Sequence, residues 1–294
     1  MFLFQRVEEF IVHRQDANAV IGHFLLDKRL EIHQYSMADI AKETFTSKAT
    51  LVRFAQALGY SGWKEFFYAY THEAASEAND DQPVDPNFPF QSDDDSLTIV
   101  SHLMALKIQA LRDTAKVLDT ADLDDAAEII FKANRVVLYG ISPNSEYASL
   151  FRRRLISLGK TAMVAQKGDA GTLSRFLTKA DCAIFISYTG NLSGHYPLNF
   201  LPLLQENQVP IVALTSGGNS YLVEMADVVL PIYSREKLYS KISNFATEES
   251  ILFLLDSLYA KIFSMDYDHH RKLKIGTSRI LEKGREAKVS DMSE

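Results

Sequence analysis

Apolar residues recur at two different rhythms along this 294-residue chain, and the change from one to the other falls near residue 135. Before it they repeat at helical spacing. Leu51, Phe54, Ala55 and Leu58 follow the i, i+3, i+4, i+7 template, and WKEFFYAY (63–70) carries an aromatic stripe. The pattern predicts helices over about Leu3–His13 and Ala17–Arg29, a third opening at Ser36, and a fourth opening at Ser47 and closing at Gly59–Gly62. A fifth begins at Trp63. Ser36-x-x-Asp39 has the form of a capping box. Residues 79–95 break the rhythm with Pro83, Pro86, Pro89 and a run of aspartates, the signature of a solvated linker. A long amphipathic helix over about Ser96–Leu118 and a shorter one over Leu123–Lys132 follow.

Beyond Arg135 short apolar runs appear at 135–139, 161–165, 182–187, 210–215 and 228–232. Helix-like segments separate them: Glu146–Leu158, Thr172–Leu177, Tyr196–Asn207 and Tyr221–Ala226. Continuous apolar strands alternating with helices predict a doubly wound parallel sheet covered on both faces. Thr247–Phe263 closes the pattern with an apolar helix capped by Thr247. The expected organisation is an all-α helix-turn-helix domain (1–77), an acidic linker (78–95), connecting helices (96–133), an α/β domain (134–268) and a tail (269–294).

Composition narrows the function classes. Hydrophobic residues make up 47% of the chain, enough for two cores. No run of about 20 apolar residues is present to span a bilayer, and early charge in MFLFQRVEEF interrupts any signal-peptide core. Cys182 is the one cysteine, so neither an intrachain disulfide nor a thiolate metal cluster is expected. These features predict a cytoplasmic protein without cofactor or metal. The formal net charge of −7 opposes nucleic-acid binding in total, but what matters is the local face. Between Lys42 and Lys64 the cations Lys42, Lys48, Arg53 and Lys64 outnumber Glu43 and Glu65, while the acid gathers in the 80–95 linker. One such head binds weakly, so a homodimer or higher homo-oligomer is expected.

The third and fourth helices form a helix-turn-helix. Ala49, Arg53 and Gln56 project away from the packed side, with Lys48 and Thr50 on the flanks. N-terminal residues of a recognition helix reach base edges in the major groove. Arg53 suits bidentate contact with guanine, and Ser47 and Lys48 suit phosphate. The candidate DNA-binding set is therefore Ser47, Lys48, Ala49, Thr50 and Arg53, against the bland reading of a helical hairpin with a solvated face. Ser36-x-x-Asp39-Ile40-Ala41, Ser47-x-Ala49-Thr50-x-Val52-Arg53-Phe54 and Leu58-Gly59-Tyr60-Ser61-Gly62-Trp63 together resemble the N-terminal domain of RpiR-type transcription regulators. Phe45 departs from that pattern, which has glycine in the turn. A left-handed backbone there strains phenylalanine, so the turn is expected to be either strained or reshaped.

Three polar loops follow three predicted strands: 140–145 (GISPNS), 187–191 (SYTGN) and 215–220 (TSGGNS). Hydroxyls, flexible backbone and the N-termini of following helices make an anion cradle without a lysine. Each loop alone is ordinary turn chemistry. No triphosphate-binding G-x-x-x-x-G-K-[ST] occurs, and Ser142 occupies the second glycine of the dinucleotide fingerprint. A phosphorylated small molecule fits better than a nucleotide. Ser187-Tyr-Thr-Gly190, with Ala180-Asp181 and the run 210–215, resembles the SIS (sugar isomerase) domain over about Asn134–Met265. That resemblance implies a sugar phosphate held by Ser187 and Thr189. Ser142 and Asn144 depart from its first-loop pattern, and Ser145 is adjacent. The candidate ligand set is Ser142, Asn144, Ser145, Ser187, Thr189, Asn191, Thr215 and Glu248. Glu248 and Glu249 read either as ligand or base groups or as acids compensating a helix macrodipole. His195 reads as a catalytic acid or a surface histidine, and Arg152-Arg153-Arg154 as a phosphate clamp or a run with one paired member. His269-His270 lacks further ligands for a metal.

The two halves together predict a transcription regulator, either a repressor, the simpler reading, or an activator, that binds operator DNA and senses a sugar or amino-sugar phosphate. The alternatives are a sugar-phosphate isomerase with an accessory helical domain and a sensor that binds a protein partner.

Overall fold

The computed structural model describes residues 3–29, 31–78 and 84–281, with backbone alone at 75–78. The chain divides into two compact units, Met1–Asp113 with Tyr233–Glu249, and Thr114–Ile232 with Ser250–Glu294.

The first unit is helical. It contains α1 (Leu3–Ile11), α2 (Ala17–Asp27), α3 (Met37–Glu43), α4 (Lys48–Ala57) and α5 (Trp63–Ala78). Side chains at the expected positions start these helices. Asp16 accepts from the amides of Asn18 and Ala19, Ser36 and Asp39 complete a capping box, and Ser47 accepts from Thr50 N–H. The apolar faces meet in a core centred on Phe54, whose ring lies edge-on to Phe10 and Phe66 at 5.6 and 5.7 Å. Half-buried Glu73 accepts the Leu3 and Phe4 amides at 2.7 and 3.1 Å and so anchors the start of α1. The long helix α6 (Ser96–Val117) then follows the irregular 84–95 segment. Pro83 of the expected linker lies outside the described residues.

Residues 233–249 also belong to this unit. Gln5 is fully buried and its amide donates to the carbonyls of Ser234 and Glu236. Asn87 accepts from Lys237 N–H at 2.6 Å, and Glu8 accepts from Leu238 N–H at 2.7 Å. The buried Glu236 carboxylate accepts from the Ala246 amide and the Thr247 hydroxyl, both at 2.6 Å. Both residues lie in the first turn of α12 (Phe245–Met265). The expected Thr247 cap is therefore corrected: the helix starts two residues earlier, and Thr247 lies inside its first turn, bonded to Glu236.

The second unit is a five-stranded parallel sheet of order β2-β1-β3-β4-β5. Its strands are β1 (Arg135–Gly140), β2 (Thr161–Val164), β3 (Cys182–Ile186), β4 (Ile211–Thr215) and β5 (Val228–Pro231). Side chains alternate between two cores: Val136, Leu138, Ile184 and Ile186 enter one, and Val137, Tyr139, Ala183 and Phe185 the other. Helices α7 (Thr120–Lys132), α8 (Asn144–Ile156), α9 (Ala170–Arg175), α10 (Leu201–Glu206) and α11 (Tyr221–Met225) accompany the strands. The expected helix over Tyr196–Asn207 is shorter. Pro197 follows a cis peptide bond, Leu198–Phe200 form a 3-10 turn, and the α-helix begins only at Leu201. The expected tail carries a further helix, α13 (Tyr267–Leu281), in which buried His270 shares a hydrogen bond with the Phe263 carbonyl. Among the described residues no helix is long and apolar enough to cross a membrane.

Candidate functional site

The reading head places its residues as the helical projection requires. Leu51, Phe54, Ala55 and Leu58 are buried, whereas Lys48, Ala49, Arg53 and Gln56 are exposed. Ser47 Oγ lies 2.9 Å from Thr50 Oγ1, and Arg53 donates to that same oxygen at 3.4 Å. A hydroxyl pair thus braces the first turn of α4 and tethers the guanidinium beside it. The result is a cationic, hydroxyl-rich face at a helix N-terminus, which suits phosphate and base edges. The α3–α4 turn is not reshaped. Phe45 takes the left-handed conformation at φ 52° and is 96% exposed.

In the second unit the sheet order reverses between β1 and β3, and loops leaving a reversal diverge to open a crevice. Those two loops carry the first candidate residues. Ser142 is exposed, while Asn144 and Ser145 are half-buried in the opening turn of α8. Asn144 Nδ2 donates to the Ile186 carbonyl at the end of β3 at 3.2 Å. Gly140 permits this closeness, because a Cβ there would sit 3.2 Å from the Asn144 backbone.

On the other side, Ser187 and Thr189 are half-buried and Asn191 is exposed. The loop that holds them is tied to the next one through backbone. Tyr188 carbonyl accepts from Thr215 Oγ1 (3.0 Å), Ser216 Oγ (2.6 Å) and Ser216 N–H (2.9 Å). Gly190 carbonyl accepts from Leu222 N–H at 3.0 Å. Gly190 itself has φ +67°, and an added Cβ would lie 2.7 Å from Ser220 Oγ. Thr215 is fully buried, with its hydroxyl spent on this tie, so it shapes the loop. No helix opens directly after Asn191, for residues 191–197 are irregular. The amides of Asn144 and Ser145 in the neighbouring loop already donate to Ile141 carbonyl. Side-chain hydroxyls therefore carry more of any anion contact than the sequence pattern suggests.

The remaining candidates lie on other elements. Glu248 is half-buried and belongs with the first unit, as does Glu249, which pairs with Lys107 at 2.6 Å. His195 is exposed. Arg154 pairs with Asp256, whereas Arg152 and Arg153 point to solvent. Sequence reasoning missed Ser216 and Ser220, whose signal was present in TSGGNS: Ser220 caps α11 by accepting from Val223 N–H. Asp181, just before β3, accepts from Arg135 Nε and Nη2 at 2.8 and 2.7 Å and from Thr178 N–H at 2.9 Å. Burial pushes its carboxyl up, but these bonds outweigh it and hold the group below the usual range.

Comparison with known proteins agrees with both halves. Residues 7–77 match the helix-turn-helix domain of the rpiR family, and residues 129–259 match the SIS domain. The chain is 28% identical over 254 residues to an uncharacterized HTH-type transcriptional regulator of Haemophilus influenzae, covering 85% of this chain and 86% of that one. Among solved structures it is similar to Vibrio vulnificus NanR complexed with ManNAc-6P. That likeness has a TM-score of 0.59 at 21% identity, over 95% of this chain and 97% of the other. It is also similar to the sugar isomerase domain of an RpiR transcription factor from Sphaerobacter thermophilus, with a TM-score of 0.52 at 21% identity. That match covers 61% of this chain and 98% of that domain. With an rpiR-family helix-turn-helix ahead of a SIS domain, the chain belongs to the RpiR-type transcriptional regulators.

Proposed function

We propose that this regulator binds operator DNA through α4 as a homodimer and senses a sugar phosphate or amino-sugar phosphate at the loops after β1 and β3. The observation that carries the reading is the pairing of two faces in one chain. One is the exposed Lys48–Arg53 face of α4, and the other is the Ser187/Thr189 hydroxyl pair at the reversal of the sheet. Lys48, Thr50 and Arg53 match the residue types that bind phosphate and guanine. Ser187 and Thr189 match the needs of a phosphate held without a lysine. The ManNAc-6P in the Vibrio structure supports including amino-sugar phosphates among the ligands to test. The effector acts by binding the DNA-competent and incompetent states with different affinity. The protein turns nothing over: Glu249 is engaged by Lys107, and a DNA-reading head serves no step of an isomerisation.

Thermal shift against a panel of sugar phosphates, joined to mobility shifts with the upstream region of the gene, tests the reading. It predicts a stabilising ligand that alters DNA affinity. NMR showing conversion of a phosphorylated aldose, abolished by Glu248→Gln, would favour the isomerase instead.

A further inference from the structure

Among the described residues, α3, α4, α8 and α10 end in the same hydrogen-bond pattern, and they differ in the residue placed at its left-handed position. In α4 the amides of Gly59 and Tyr60 donate to the carbonyls of Gln56 and Ala55. In α8 the amides of Gly159 and Lys160 donate to Ile156 and Leu155. In α3 the amides of Phe45 and Thr46 donate to Lys42 and Ala41 in the same way, as those of Gln208 and Val209 do in α10. This is the Schellman arrangement, whose left-handed residue is usually glycine because a Cβ is strained there. Gly59 and Gly159 obey that rule, at φ 87° and 81°. Phe45 and Gln208 do not, at φ 52° and 55°. Gln208 is polar, so water solvates the side chain it exposes. Phe45 combines a strained backbone with an aromatic ring that is 96% exposed.

Among the described residues no packing buries the Phe45 ring. A bulky residue at positive φ is a genuine outlier, and such strain collects where a surface does something. The position says what that is. Phe45 lies two residues before Ser47, the cap of α4, and two residues of chain reach at most about 7 Å. The turn is also fixed: Thr44 Oγ1 donates to Ile40 carbonyl at 2.6 Å and lies 2.9 Å from Thr46 Oγ1. The ring is thus carried on a hydrogen-bonded turn that leads directly into the N-terminus of α4.

We propose that Phe45 is a DNA-contact residue that lends sequence preference, its ring packing against a thymine methyl group at the edge of the major groove. Phenylalanine is among the side chains that read that methyl by apolar contact. The proposal rests on the DNA-binding reading of α4 and adds a residue to it.

The test compares full-length parent with Phe45→Gly. The probe is a duplex enriched by the parent from a randomised pool, with its thymines replaced singly by deoxyuridine. Phe45→Gly relieves the backbone and removes an exposed ring, so its thermal midpoint rises above the parent's. Its affinity for the duplex falls about three- to ten-fold, the scale of one or two lost methyl contacts. At one or two positions deoxyuridine weakens the parent and leaves Phe45→Gly unchanged. Equal affinity of the two proteins overturns the proposal, as does an equal response to every deoxyuridine. Unchanged DNA affinity with loss of self-association in sedimentation assigns the ring to a second copy and also overturns it. If the parent enriches no duplex at all, the DNA-binding reading itself fails, which is a separate outcome.

Discussion

Gly190 is the most constrained point of the candidate ligand site, and Gly190→Ala has a magnitude that follows from the structure. At φ +67° the new residue enters the left-handed region, a penalty of about 1–2 kcal/mol for any side chain. The added methyl also lands 2.7 Å from Ser220 Oγ, 3.0 Å from Leu222 Cβ and 3.0 Å from Thr215 Oγ1. Those neighbours cannot yield freely. Ser220 caps α11, and Thr215 is bonded to the Tyr188 carbonyl. Overpacking of this kind costs about 1–3 kcal/mol. Gly217→Ala is the control, because Gly217 has φ +74° but nothing within 4 Å of an added Cβ. It suffers the backbone penalty alone. Urea unfolding followed by circular dichroism should therefore place Gly190→Ala about 1–3 kcal/mol below Gly217→Ala. Sugar-phosphate affinity should fall in Gly190→Ala, because the Ser187 loop must move to admit the methyl. Equal stability of the two variants would refute the claim that this loop is fixed by close packing.

Two further predictions concern the head and the sheet. Arg53→Ala should weaken binding to a selected duplex by about 1–3 kcal/mol and relax preference at one base pair, whereas Lys48→Ala should weaken all duplexes alike and flatten the salt dependence. Mobility shifts at several salt concentrations separate the two effects. Asp181→Asn should lower stability at neutral pH by about 1.5–3 kcal/mol, the scale of hydrogen bonds to a charged group. The Asp181 carboxyl is held below its ordinary value in the folded protein, so its contribution is fully present above the unfolded value of about 3.9 and is lost as pH falls through the folded one. The gap between parent and variant in urea unfolding should stay constant from neutral pH to about 5 and close in more acid solution.

Much of this fold was legible because its signals are local. Ser36 with Asp39 and Ser47 with Thr50 announced two helix starts within four residues, and both caps form. The buried and exposed faces of α4 follow from spacing alone. All five strands lie within a residue of the apolar runs, since strands covered on both faces admit little polar substitution. Other elements gave weaker signals. In α13 only His270 is buried among Asp268, His269, Arg271, Lys272 and Lys274, so no apolar stripe marks the helix. The 233–249 segment is placed by Gln5, Glu8 and Asn87, more than a hundred residues away, through bonds to its backbone. Such bonds leave no pattern in the sequence of the segment they hold. The candidate site residues Ser187 and Thr189 were visible as residue types at a strand end. The work of Thr215 and Ser216 in bracing them was not, because a hydroxyl that builds a loop and one that binds a ligand read alike.

The central claim is that one chain couples a sugar phosphate to DNA affinity, and reciprocal binding tests it most directly. DNA affinity is measured with and without the best ligand of the panel, and ligand affinity with and without the selected duplex, in the parent and in Ser187→Ala. Linkage requires the two ratios in the parent to be equal. Losing one hydroxyl contact to a charged phosphate, about 1.5–3 kcal/mol, should weaken ligand binding in Ser187→Ala by about ten- to a hundred-fold. DNA affinity of the unliganded variant should match the parent's. DNA affinity indifferent to every sugar phosphate that binds, or full ligand affinity in Ser187→Ala, would contradict the account.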